Sequence, residues 1–189
     1  MSTIVDKPVS EDVSSNTPEE NTAPADIRLP GKFVVWYHSV ENSSWSKDSY
    51  ENLCAGLPDK CVETIGDLSK VYASYQNNVT AGMFFLMRKG ILPLWEDPAN
   101  ARGGYWSFKV PKRASNEVWL QLTAALVGNT LLKDPAKATQ ITGISVSPKI
   151  SNCVMKIWNR DRSFNSKNVF DQNVDFLEPG SLMYKANKN

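Results

Sequence analysis

One histidine, His38, is present in 189 residues. Any Ser-His-Asp or Cys-His mechanism would have to run through it, and no H-E-x-x-H metal motif can form. Cysteine is nearly as scarce. Cys54, Cys61 and Cys153 are odd in number and include no C-x-x-C pair, which speaks against a disulfide framework and a four-cysteine zinc site. No metal and no cofactor are expected. No run of about 18 apolar residues occurs, so no membrane span is expected. The stretch from Met1 has no basic segment followed by an apolar one, so no signal peptide is expected and a reducing, cytoplasmic setting is the default.

A large net charge is also missing, since 21 Lys and Arg face 20 Asp and Glu. That balance hides an asymmetry. Residues 1–26 hold Lys7 against Asp6, Glu11, Asp12, Glu19, Glu20 and Asp26, a net −5, in a stretch rich in Ser, Asn, Thr and Pro. Such a segment buries too little apolar area to offset its ordering entropy, and it reads as a disordered acidic tail; an arm docked on the body is the alternative. From Ile27 onward the chain carries 20 Lys and Arg and 14 Asp and Glu, a net +6. The predicted organisation is a tail over 1–26 and one basic domain over 27–189, a length that suits a single core, and its charge favours anionic partners.

The regular elements read as strands mixed with two separated helices. Lys32–Tyr37, Met83–Met87, Tyr105–Val110, Ile141–Val146 and Cys153–Trp158 are β-branched or aromatic runs, and Leu182–Tyr184 is a candidate last strand. Thr64-Ile-Gly-Asp67 has the form of a capping box, followed by apolar residues at helical spacing to about Gln76. A second helix is expected from an N-cap at Ser115 or Asn116, with Glu117 in its first turn, to a C-cap near Gly128-Asn129. Without βαβ alternation, this order predicts an α+β fold with a mainly antiparallel sheet and helices on one face.

Six tryptophans are many for this length. Trp36, Trp106 and Trp119 lie in apolar, regularly spaced runs and read as core or sheet packing. Trp45 lies among Ser, Asn, Lys and Asp, and Trp95 lies between Pro93 and the acidic turn Glu96-Asp97. Each alone is a binding residue or a loop anchor. Together, two loop indoles, one adjacent carboxylate and a basic body describe a receptor. Two indoles sandwich a planar ring, and a cationic ring gains most because the indole face is negative. A carboxylate accepts two hydrogen bonds from the N1–H and N2–H₂ edge of guanine, and lysines beyond the ring hold phosphates. The ligand that fits all three is 7-methylguanosine carrying a phosphate chain.

Trp36 with Trp45, the block Pro93-Leu-Trp95-Glu96-Asp97-Pro98, then Arg102-Gly103-Gly104-Tyr105-Trp106, Glu117-Val-Trp119-Leu120 and Lys156-Ile157-Trp158 resemble, in order and spacing, the cap-binding translation initiation factor 4E family. The likeness covers roughly Leu29 to Trp158. It implies a curved antiparallel sheet of about eight strands, two to three helices on the convex face and a cap slot on the concave side. By the resemblance, Trp45 and Trp95 are the stacking pair, Glu96 reads guanine, Trp158 lies against the N7 methyl and Lys149 is a phosphate ligand. It also implies a scaffold partner of the factor 4G type, bound through the convex helical face, and a monomer outside that complex.

Several positions depart from the family pattern. A second basic phosphate ligand aligns with Val154; Lys156, two residues along the same strand face, is its candidate substitute, with a solvated surface lysine as the alternative. Arg160 and Arg162 are further phosphate candidates, and Tyr105 stands where many relatives carry arginine. On the partner face the family's anchoring tryptophan is Ser69. Ile65, Leu120 and Val127 match apolar contacts, a neighbour is reduced to Ala124, and Leu29 remains of the segment before the first strand. The chain after Trp158 aligns poorly, the family's third helix is expected to be curtailed, and Ser181–Lys188, in place of the family's loop that touches nucleotides after the cap, could meet a methylated first nucleotide of the mRNA. The leading expectation is a non-enzymatic binder of the mRNA cap in translation initiation, as recruiter or as repressor. An enzyme holding magnesium with Glu96 and Asp97, and a carbohydrate-binding module built on Trp45 and Trp95, are the alternatives.

Overall fold

The computed structural model describes residues 27–75, 78–172, 174, 177 and 180–188. The acidic segment 1–26 lies outside the described residues. Eight strands form one sheet: β1 (Arg28–His38), β2 (Glu51–Asn52), β3 (Val62–Thr64), β4 (Met83–Arg88), β5 (Gly104–Pro111), β6 (Ile141–Pro148), β7 (Asn152–Asn159) and β8 (Met183–Ala186). Their order is β2-β1-β4-β6-β7-β5-β8, with β3 also paired to β1. Every pairing is antiparallel. The α+β expectation holds, and the curved sheet carries its helices on one side.

Alternation along the strands divides the apolar residues between two faces. Phe84, Leu86, Trp106, Phe108, Ile144, Val146, Met155 and Ile157 all enter the main core, which α1 (Ile65–Ser74) and α3 (Ser115–Val127) cover. Residues of the opposite parity, Met83, Phe85, Met87 and Trp158, form a second cluster with Trp36, Tyr50, Ile91 and Tyr105 around it. This second cluster is the floor of the open, concave face. The two helices are also tied by polar contacts, since Tyr72 Oη donates to Thr123 Oγ1 at 2.6 Å and Trp119 Nε1 donates to Tyr75 Oη at 3.3 Å.

The expected capping box at α1 is present. Thr64 Oγ1 accepts from Asp67 N at 3.1 Å, and Asp67 Oδ2 accepts from Thr64 N at 3.0 Å. The expected cap of α3 differs. Ala114 is its N-cap, without a side-chain bond. Asn116 instead accepts from Val79 N at 3.0 Å, and Ser115 Oγ donates to Pro111 O at 3.0 Å. A tertiary contact has taken the Asn116 side chain, and a bond back to the preceding turn has taken that of Ser115. At the other end Asn129 takes the left-handed conformation (φ 57°) that Asn tolerates after a helix.

Gly103 and Gly104 are required by close approach of neighbouring strands. A Cβ on Gly103 would lie 1.8 Å from Asn159 O, and one on Gly104 would lie 2.4 Å from Lys185 O. The glycine pair thus lets β7 and β8 close on the start of β5. Between Trp158 and β8 the described residues contain only a 3₁₀ turn, Lys167–Val169, in place of a third long helix.

Candidate functional site

Trp95 and Glu96 are carried by a turn that is locked from inside. Asp97 caps the one-turn helix α2 (Pro98–Ala101): its Oδ1 accepts from Ala99 N and its Oδ2 from Leu92 N, both at 2.9 Å. Asn100, fully buried, donates from Nδ2 to Leu92 O at 3.0 Å and to Leu94 O at 2.8 Å. Its own carbonyl O accepts from Asn187 Nδ2 at 2.7 Å, joining the turn to the chain end. These bonds fix the backbone on both sides of Trp95, whose indole is 46% exposed. Glu96 is exposed and makes no hydrogen bond or ion pair with the described residues. Asp97, by contrast, has both oxygens committed to main-chain N–H groups, so it is a structural residue and not a free carboxylate beside Glu96.

Trp45 stands on the sole histidine. Its ring lies parallel to His38, 7° between planes and 4.5 Å between centroids, while the indole is 54% exposed. His38 is fully buried and pinned by both nitrogens, each 2.8 Å from a main-chain carbonyl, of Ser39 and of Ser44. The polar loop from β1 to Trp45 is therefore folded around this imidazole. Below it Tyr50 meets His38 at 4.8 Å and the edge of Phe85 at 5.4 Å. Burial, with the charge of Glu96 as a second cause, pushes the Tyr50 hydroxyl up to about 12. Tyr50 thus links the Trp45 loop, the floor and Glu96. Tyr50 did not stand out in the sequence, and His38 did so only as the sole histidine, because the part each plays here depends on how the loop closes.

Across the floor, Trp158 is 6% exposed and donates from Nε1 to Ser145 Oγ at 3.0 Å. It lines a cavity of about 260 Å³ with Trp95, Tyr105, Lys156, Lys185 and Lys188. Trp45 is not among the lining residues. Lys156 Nζ sits 4.3 Å from the centroid of Tyr105 and 5.8 Å from that of Trp158. Burial, then the nearby charges of Lys149 and Lys185, hold its ammonium below the usual lysine range. Lys149 is exposed at the β6–β7 turn. Arg160 and Arg162 lie elsewhere. Arg160 donates from its main-chain N to Gln140 O and lies near Arg88, while Arg162 Nε donates to Arg102 O at 3.2 Å. Neither borders the cavity beside Trp95. Lys185 is placed there instead, by pairing of β8 with β5 at Tyr105.

Residues 28–189 match the model of the family described as eukaryotic initiation factor 4E. The chain belongs to that family. Its relatives include the eukaryotic translation initiation factor NCBP of Oryza sativa, 30% identical over 138 residues, covering 71% of this chain and 58% of that protein. The initiation factor 4E of Saccharomyces cerevisiae is 27% identical over 162 residues, covering 80% and 73%. The match thus spans well under two thirds of the rice protein. The Ascaris suum eIF4E-3 structure, a complex with an m2,2,7G cap, superposes with a TM-score of 0.66 at 20% identity, over 86% of this chain and 92% of that one. It shows a common fold.

On the helical face of this factor 4E relative, Leu120 is 53% exposed and Ala124 is exposed. Ile65 and Leu29 are half-buried. Ser69 is exposed, with Oγ donating to Ile65 O at 3.0 Å, so it offers no apolar area to a partner. Val127 is 3% exposed and supports this face from within the core. Among the described residues no helix is long and apolar enough to cross a membrane.

Proposed function

We propose that this chain binds the 7-methylguanosine 5′ cap of mRNA and acts, without catalysis, in cytoplasmic translation initiation. The observation that carries the reading is the pair of half-exposed indoles, Trp45 and Trp95, borne on separately braced loops, with the unpartnered carboxylate of Glu96 beside them. In this reading Trp45 and Trp95 stack on the methylated base, and Glu96 accepts from its N1–H and N2–H₂ edge. Trp158 lies toward the N7 methyl, and Lys149 and Lys156 take the phosphates. Arg160 and Arg162 are left to the rim, given where they lie. Solved relatives that hold m7G and m2,2,7G caps support the assignment. Intrinsic fluorescence titration tests it: quenching by 7-methylguanosine diphosphate should saturate at far lower concentration than with guanosine diphosphate, and an oligosaccharide should give none. Equal response to the two nucleotides refutes the reading.

The helical face is proposed to take a scaffold partner of the factor 4G type through contacts centred on Leu120 and Ile65. Solved relatives bound to 4E-binding proteins support a partner of this kind. An aromatic anchor at an interface centre is worth about 2 kcal/mol or more, and Ser69 supplies none. A helical Y-x-x-x-x-L-Φ segment, the form in which the resemblance implies the scaffold factor or a repressor binds this face, should therefore bind at least roughly tenfold more weakly here than to a tryptophan-bearing relative, and Ser69→Trp should recover part of that loss. Calorimetry with the peptide checks both.

A further inference from the structure

We propose that His38 is a positioning residue of the clamp: it acts as an imidazolium, with a proton on each ring nitrogen, and so closes the loop that presents Trp45. The argument rests on what each nitrogen faces. Nδ1 lies 2.8 Å from Ser39 O, and Nε2 lies 2.8 Å from Ser44 O. A main-chain carbonyl only accepts, whereas a neutral imidazole carries one N–H and one lone pair. In either neutral tautomer a ring lone pair would face a carbonyl oxygen at 2.8 Å, on a ring too deeply buried to turn toward solvent. Only the doubly protonated ring makes both contacts hydrogen bonds, and both are then charge-assisted.

Burial opposes the charge, and the surroundings offset that cost. The Trp45 indole lies parallel to the imidazole, 4.5 Å between centroids, and presents its negative face to the cation. The Tyr50 ring flanks it at 4.8 Å, and the charge of Glu96 lies near enough to act on the Tyr50 hydroxyl. Across the strand pair His38 faces Met83, which is neutral. The charged residues of the loop, Glu41, Lys47 and Asp48, are exposed, and none forms an ion pair among the described residues. The bond to Ser44 is what ties the loop to the sheet. Among the described residues, the other hydrogen bonds within 39–50 span two or three residues, whereas His38 Nε2 reaches across six. Trp45 follows Ser44 directly, and its indole rests on the ring that makes this bond. A ligand can use only the other face of the indole, so the imidazolium fixes that wall from behind.

The hold on the loop stands whatever the indole binds, while its effect on affinity rests on the cap-binding reading above. His38 is the sole histidine, so nitrogen NMR of the full chain, isotope-labelled at histidine, gives one set of ring signals. At about pH 7, where a free imidazole is mostly neutral, both ring nitrogens of the ligand-free chain should carry a proton. One protonated and one bare nitrogen overturns the proposal. His38→Phe keeps a ring beneath Trp45 and removes both donors. In the ligand-free variant, amide exchange over 39–46 should quicken roughly two- to tenfold, and 7-methylguanosine diphosphate should bind more weakly by a similar factor, the scale of one hydrogen bond. Unchanged exchange in this loop overturns the proposal, and faster exchange with unchanged affinity overturns the positioning role. A wild type that shows both ring protons but no preference for the methylated nucleotide overturns the cap reading and leaves the imidazolium standing.

Discussion

Replacing either clamp residue, in Trp45→Ala or Trp95→Ala, is expected to lower affinity for a 7-methylguanosine nucleotide by roughly 10- to 4,000-fold. The figure adds base–aromatic stacking, about 1–3 kcal/mol per base, to a cation–π contribution of about 0.5–2 kcal/mol, at 1.4 kcal/mol per tenfold. Both indoles are about half exposed in the free protein, so their removal leaves no large cavity. Thermal stability should change by less than about 0.5 kcal/mol in Trp95→Ala, the ordinary range for surface substitutions, and by about 0.5–1.5 kcal/mol in Trp45→Ala, which loses its stack on His38. The division of the loss is the sharper test. A plain guanosine nucleotide keeps the stacking and lacks the fixed positive charge, so it should lose less than its methylated counterpart. Selectivity for the methyl group should therefore fall along with affinity. If both nucleotides lose equally, the rings serve as a generic platform and the charge argument fails.

The two sites are expected to differ in one respect. Trp95 sits on a turn that Asp97 and Asn100 hold by main-chain bonds, independent of the indole. Trp45 instead covers His38, and the loop that carries it is folded around that imidazole. Removing Trp45 exposes one face of His38, so Trp45→Phe should restore more function than Trp95→Phe restores at the other wall. Relative affinities of the two phenylalanine variants, measured in one buffer, decide this.

How far the sequence foretold this arrangement depended on the range of the forces involved. Strands such as Met83–Arg88 and Asn152–Asn159 were legible because apolar runs report burial directly. The strands Glu51–Asn52 and Val62–Thr64 were not, since two or three residues pairing with β1 leave no periodic signal. The Thr64 and Asp67 box could be read because both partners lie within one helical turn. Ser115 and Asn116 have the same chemistry but bond to Pro111 and Val79, and only the packed fold brings the latter within reach. At the site, the block around Trp95 announced itself by composition, whereas the braces did not. Asn100 resembles any loop asparagine until its side chain is seen bonded to Leu92 and Leu94. Lys185 gains its position from the register of β8 against Tyr105, which no local pattern encodes.

Glu96→Ala should cost about 1.5–3 kcal/mol, or roughly 10- to 150-fold in affinity, since it removes hydrogen bonds to a charged acceptor. Glu96→Gln should recover little. An amide offers one acceptor oxygen and turns a donor toward the guanine N–H edge, so one of the two bonds becomes a donor–donor clash. Discrimination between guanine and adenine nucleotides should fall in both variants, because adenine never made the paired contact. A ligand-free measurement checks the placement on which this depends. The negative charge of Glu96 is one of two causes that raise the Tyr50 hydroxyl to about 12, burial being the larger. Removing the carboxylate should lower that titration and leave the burial contribution in place, whereas a distant Glu96 would leave it unchanged. Ultraviolet titration of the wild type and Glu96→Ala, each against its own Tyr50→Phe control, isolates the single tyrosine. A lowered titration with no loss of nucleotide affinity would put the carboxylate at the clamp and take guanine reading away from it.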